Sequence, residues 1–287
     1  MCDEFINQGL VADSRITRRT FGLIAAAAAG TAGAASSAPS VEEKDVSIKT
    51  PDGTADAALF TPRKAGHFPA VLMWPDIMGL RPVFRDMGRR LAGEGYVVLV
   101  PNPFYRSKRA PVMEGAIDFN NPATRQVLFG YRNAMSDEGI AKDSAAYLSF
   151  LDAQPKTDKA RKAGVQGYCM GGALAFMTAG AVPTRIGAVA SFHGGNGLVT
   201  NKPDSPHLLI PKTNARFLVL QAQNDDAQQP QVKDELKKAF AQAHRQAIVE
   251  VYPANHGWCV PGGQAYNHVQ AERAWAGLLQ LYRVALI

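Results

Sequence analysis

The hexapeptide Gly167-Tyr168-Cys169-Met170-Gly171-Gly172 puts a thiol where a short apolar run gives way to a helical pattern. Glycine two residues to either side is the pattern of a nucleophile on a tight strand-to-helix turn, here with sulfur in place of the usual serine oxygen. The glycines keep the flanking backbone clear of the strained residue. The turn also sets the thiol at a helix N-terminus, where partial positive charge favours a thiolate. The Met170 amide would then face the oxygen of a carbonyl under attack. A small buried thiol in a glycine-rich turn fits the same six residues. Residues nearer the C-terminus decide between the two.

A nucleophile on such a turn works with an acid and then a histidine further along. The apolar run Phe217-Leu218-Val219-Leu220 ends in Gln221-Ala222-Gln223-Asn224-Asp225-Asp226, which brings carboxylates to a strand's C-terminal edge. Ligands bind at that edge in open α/β sheets. Asp225 is the choice for orienting the base and Asp226 the reserve, a solvated turn being the alternative. His256 follows the last strand pattern and precedes the last helix, the place of the base. His193-Gly194-Gly195 resembles an oxyanion motif, but it follows the nucleophile when it should precede it. His193 therefore reads better as a strand-end residue lining or supporting the pocket. A second oxyanion amide is expected after the run Ala70 to Trp74, in Pro75-Asp76-Ile77-Met78-Gly79. Ile77 is the candidate donor. Asp76 is either a carboxylate that gates the thiol's ionisation or an N-cap for the next helix.

These residues need a scaffold that presents strand ends side by side. Candidate strands are 45–49, 57–60, 70–74, 96–100, 162–167, 186–192, 216–222 and 247–252, several of them continuous apolar runs. Helical patterns cover 83–94, 137–153, 170–181, 231–244 and 264–284. Their alternation predicts an α/β fold with a doubly wound, mostly parallel sheet and helices on both faces. The first two strands have no helix between them and should pair as a hairpin. Residues 101–136 read as a long irregular segment placed to overhang a site.

Ahead of this domain, Arg18-Arg19-Thr20-Phe21 leads into the alanine run Ala25 to Ala29 and the small residues Gly33 to Ala38. A paired arginine, a phenylalanine two residues on and a mild apolar stretch resemble a twin-arginine export signal. The expectation is a signal over 1–38, handled by the twin-arginine translocation machinery, and a single domain over 39–287 in the periplasm or otherwise exported. The apolar stretch is too short and alanine-rich for stable membrane insertion. Removing it subtracts three acids and three bases, so the net charge of +6, from 31 basic and 25 acidic residues, is unchanged. That excess is dispersed and forms no dense basic stripe, which argues against nucleic acid as a partner. Three cysteines are too few for a disulfide scaffold, and His256 with Cys259 supplies only two metal ligands.

From about Val46 onward the chain resembles the dienelactone hydrolase family of α/β-hydrolases, on Trp74-Pro75-Asp76-Ile77-Met78-Gly79, the cysteine elbow, Asn224-Asp225 and His256-Gly257-Trp258. The resemblance implies hydrolysis of a carboxylic ester or lactone through an acyl-cysteine, with no metal or organic cofactor and no large cap domain. It makes Cys169 the nucleophile, His256 the base, Asp225 its partner, and Ile77 and Met170 the oxyanion donors. The family often has glutamate where Asp76 stands, and the shorter side chain puts gating in doubt. Of two arginines that clamp an anionic substrate in dienelactone-specific members, one aligns with Arg106 and the other with Val260. Arg106 is thus either half of a clamp for an anionic ester or a solvent-exposed loop arginine. Two rival readings stand beside this one. An exported thiol-redox protein would pair Cys259 with Cys169, although no C-x-x-C motif is present. The other is a catalytically silent binding module.

Overall fold

The computed structural model describes residues 41–287 apart from Ala116. All eight apolar runs form strands of one sheet. They are β1 (Val41–Thr50), β2 (Gly53–Pro62), β3 (Ala70–Trp74), β4 (Val97–Pro101), β5 (Ala163–Tyr168), β6 (Ile186–Phe192), β7 (Arg216–Ala222) and β8 (Ala247–Tyr252). Their spatial order is β1-β2-β4-β3-β5-β6-β7-β8. β1 and β2 form the expected hairpin, and β2 runs antiparallel to β4. From β4 through β8 every pairing is parallel. The hairpin is longer than its apolar residues suggest, because its register continues to the Thr50–Gly53 pair at the turn.

The helices are α1 (Pro82–Gly93), α2 (Pro122–Asn133), α3 (Asp137–Asp152), α4 (Met170–Ala181), α5 (Gln223–Gln228), α6 (Gln231–Gln242) and α7 (His268–Ala285). The sheet divides the core by side-chain alternation. Ala70, Leu72 and Trp74 join the residues under α3, α4 and α6. Val71 and Met73 face the other layer, with Phe84 and Leu91 of α1 and Leu278 and Leu281 of α7. Burial on both faces is why these strands read as unbroken apolar runs. Trp74 is satisfied in the core by donating from Nε1 to Thr178 Oγ1 at 2.9 Å, and that hydroxyl is 2.9 Å from Ser144 Oγ.

Two departures from the sequence reading bear on the site. The segment 101–136 is not irregular throughout: Asn121 caps α2 by accepting from the Ala123 amide at 2.9 Å. α7 begins later than residue 264, because Asn267 accepts from the Gln270 amide and caps the helix there. Residues 1–38, expected to form the export signal, lie outside the described residues. Among those described, no helix is long and apolar enough to cross a membrane.

Candidate active site

All six residues of β5 are buried, and the strand gives way to Cys169, the N-cap of α4, which adopts φ +53° and ψ −119°. A non-glycine residue in that region costs on the order of 1–3 kcal/mol and persists only where its surroundings impose it. Here they do. A Cβ on Gly167 would fall 1.8 Å from the Gly171 carbonyl oxygen, and one on Gly171 would fall 2.6 Å from the carbonyl oxygens of Trp74 and Pro75. One on Gly172 would fall 2.3 Å from Ser191 Oγ. The three glycines therefore allow α4 to start against β5 and β3 with no intervening residue, and Cys169 takes up the turn.

β7 carries Asp225 to the same edge of the sheet. Asp225 lies in the first turn of the short helix α5 and is 9% exposed. Its Oδ2 is 2.7 Å from His256 Nδ1. Gly195, at φ +53°, is what admits this approach, since a Cβ there would sit 2.9 Å from the same oxygen. Asn224 Oδ1 accepts from the His256 amide at 2.7 Å and fixes the loop that bears the imidazole. The reserve acid, Asp226, is taken by Lys233 Nζ at 2.7 Å. Burial opposes a charge on His256, but the Asp225 carboxylate, which accepts from its Nδ1, and the neighbouring Cys169 side chain outweigh burial and push its pKa up to about 10.

Cys169, Asp225 and His256 line one cavity of about 580 Å³, together with Ile77 and Met170. Asp76 and Arg106 do not line it. Asp76 is clasped by Arg81, with Nη1 donating to Oδ1 at 2.6 Å and Nη2 to Oδ2 at 2.8 Å. The Met78 amide also donates to Asp76 Oδ1 at 2.9 Å. Both carboxylate oxygens are thus spent on shaping the loop around Ile77, which replaces the expectation that Asp76 gates the thiol. The N-cap position of α1 belongs to Arg81, so Asp76 does not cap that helix either.

Arg106 needs the same correction. Its guanidinium grips Asp143 through Nη1 at 2.7 Å and Nη2 at 2.9 Å, and Nη2 also reaches Asp52 at 2.7 Å. It stacks on Tyr105, whose hydroxyl donates to the same Asp143. Arg106 is neither a substrate clamp nor a free loop arginine: it ties β1–β2 to α3. Val260 is buried in the core.

Sequence reasoning missed two contributors and left the role of another, His193, open between lining and supporting the pocket. His193 is buried at φ +41°, and its Nδ1 accepts from the Cys169 amide at 3.1 Å. Its ring lies 5.0 Å from that of His256 and 5.0 Å from Trp258. Burial, and then the charge of His256, hold its pKa well below the ordinary histidine value. It supports the site from beneath and does not line the cavity. α2 and the segment before it give the cavity Phe119, Phe129 and Arg132. Arg81 is the other missed contributor, and its position five residues after Asp76 was the only available signal. Cys259 is a free, buried thiol on a separate cavity of about 130 Å³ beside Tyr168 and Phe192. It does not line the cavity that Cys169 lines, and neither thiol is in a disulfide.

A parallel sheet with a strained cysteine at a strand end, backed by an acid and a histidine from the next strand edges, is an α/β-hydrolase architecture. The dienelactone hydrolase family model matches residues 55–286, and the chain belongs to that family of hydrolases. A relative from Methylorubrum extorquens, named as a candidate carboxymethylenebutenolidase, is 25% identical over 244 residues, spanning 83% of this chain and 80% of its own. One of the same name from Escherichia coli K12 is 26% identical over 221 residues, spanning 76% and 78%. The solved dienelactone hydrolase of Anabaena variabilis shares the fold with a TM-score of 0.59 at 18% identity, covering 86% of this chain and 99% of its own.

Proposed function

We propose that the protein hydrolyses a carboxylic ester or lactone through an acyl-cysteine formed on Cys169. The observation that carries this reading is the 2.7 Å contact of His256 Nδ1 with Asp225 Oδ2, in an imidazole that lines the same cavity as Cys169. The raised pKa of His256 supports a resting state with the proton on the imidazole.

In the first half-reaction the Cys169 thiolate attacks the carbonyl carbon. The tetrahedral oxyanion is held by the amides of Met170 and Ile77. Collapse breaks the bond to the leaving oxygen, which takes the proton from His256 and departs as an alcohol. In the second, neutral His256 accepts a proton from water as it attacks the thioester. Collapse then expels the thiolate and releases the carboxylic acid. The proton remains on His256, so each turnover returns the site to its starting state. Asp225 keeps the imidazole in the tautomer and orientation both steps require.

Cys169→Ala should abolish turnover of a p-nitrophenyl ester, and Asp225→Asn should lower kcat by about a hundredfold or more. Full activity in Cys169→Ala would end this reading. The separation of Cys169 and Cys259 onto different cavities argues against a thiol-redox pair. Export stays part of the proposal, on the pattern at Arg18-Arg19. Periplasmic recovery of the wild-type chain and its loss in Arg18→Lys/Arg19→Lys is the test.

A further inference from the structure

Three of the residues lining the cavity, Met170, Ala173 and Met177, come from α4 itself. Their spacing of three and then four residues puts them on one helix face. Seven residues at 1.5 Å per residue make an apolar floor about 10 Å long, beginning beside the nucleophile. Phe119, Phe129 and Met135 form the facing wall, with the rings of Phe119 and Phe129 6.1 Å apart. A cavity of this volume accommodates a ligand well beyond acetyl size.

The rim is polar but balanced. Arg132 and Lys202 face it, and so do Asp137 and Asp204. Two cations against two carboxyls give no net attraction for an anion. The arginine that the family resemblance assigns to that task is held by Asp143 and Asp52 instead.

Sheet order decides which half of the ester lies in the trough. Asp225 and His256 follow β7 and β8, on one side of β5, whereas Phe119, Phe129 and Met135 lie in the crossover after β4, on the other. His256 must reach the leaving oxygen, so the alcohol departs on the β7–β8 side. The acyl group is left to extend along α4.

We infer that the enzyme selects uncharged esters of medium-chain acids, with the acyl chain lying along Met170, Ala173 and Met177 under Phe129. The inference rests on the acyl-cysteine reading above and adds the substrate class to it. Each methylene gained in the trough is worth about fourfold in kcat/KM. The chain that fills it has on the order of eight carbons, matching the floor of about 10 Å.

The experiment measures kcat/KM for p-nitrophenyl esters from acetate to decanoate, with p-nitrophenyl hemisuccinate set against the butyrate. The expected result is a climb from acetate to about the octanoate, then a plateau, with no gain for the hemisuccinate. Met177→Trp should bring the plateau to a shorter chain. Phe129→Ser, on a half-exposed side chain that carries no folding risk, should lower the octanoate-to-acetate ratio about tenfold. A series that is flat or falls from acetate, or a tenfold gain for the hemisuccinate, would overturn the inference. If the flat series still depends on Cys169, only the substrate class fails. Turnover that survives Cys169→Ala removes the underlying mechanism as well.

Discussion

The backbone N–H of Cys169 donates to Nδ1 of His193 across 3.1 Å. The residue that bears the thiol is therefore held by a histidine from the next strand, whose ring also abuts the imidazole of His256. The same amide donates to the Phe192 carbonyl at 3.0 Å, so it is shared between two acceptors, and its approach to Nδ1 favours the neutral Nε2–H tautomer of His193. Cys169 and His256 are thus braced by one buried side chain that does not line the cavity.

Replacing His193 with phenylalanine keeps the ring and deletes the acceptor, whereas asparagine keeps an acceptor and deletes the ring. His193→Phe should lower kcat about fivefold with KM unchanged, the size of one lost hydrogen bond, and His193→Asn should recover most of that loss. Nitrogen-15 NMR of the wild type should show His193 neutral, with Nδ1 unprotonated, from pH 6 to 9. A titration of His193 near pH 6.5 would contradict the arrangement.

The His256–Asp225 pair makes stability depend on pH with a definite sign. Burial opposes the charge, but Asp225 and Cys169 raise the folded pKa of His256 to about 10. A raised pKa stabilises the fold fully below the unfolded value, about 6.5, and that contribution declines as the pH rises through 10. The gap in urea midpoint between wild type and Asp225→Asn should be widest at about pH 6 and below, shrink between about pH 6.5 and 10, and be least above pH 10. A gap that widens with pH would refute the assignment.

Gly167 tests the turn. Alanine there would place a Cβ 1.8 Å from a backbone oxygen of α4. Backbone cannot yield as a flexible side chain does, so Gly167→Ala should cost upwards of about 3 kcal/mol. Thermal unfolding would show it, and a variant with wild-type Tm would mean that α4 is not seated as described.

Arg81→Leu would leave the Asp76 carboxylate without its partner, a change that costs about 3–5 kcal/mol for a buried pair. Released from the clasp, the Ile77 loop should lose its oxyanion amide, lowering kcat by about a hundredfold with a lesser effect on KM. If Asp76 gated the thiol instead, Arg81→Leu would change the rate of Cys169 alkylation and leave kcat near wild type.

How much the sequence disclosed depends on the range of the interactions involved. The eight strands were legible because burial on both faces makes each a run of apolar residues, as in Val71-Leu72-Met73. The elbow, Asp225 and His256 were legible because each sits at a strand end in a fixed chain order. Helix α2 was not, because Leu128 is its one buried residue and leaves too faint an apolar stripe. α5 escaped as well, since Gln223-Asn224-Asp225-Asp226 reads as a polar turn. Arg106 was misplaced because its partners, Asp143 and Asp52, lie 37 and 54 residues away, beyond any local pattern. His193 was read as lining or supporting the pocket, but its contact with the Cys169 amide spans 24 residues and was not legible for the same reason.

The most direct test of the central claim is the intact mass of the wild-type chain, quenched within milliseconds of mixing with a p-nitrophenyl acyl ester. An acyl-cysteine enzyme gains one acyl mass per chain, located by peptide mapping to Cys169, and loses it again as substrate runs out. Turnover with no adduct, or an adduct carried by a residue other than Cys169, would contradict the account.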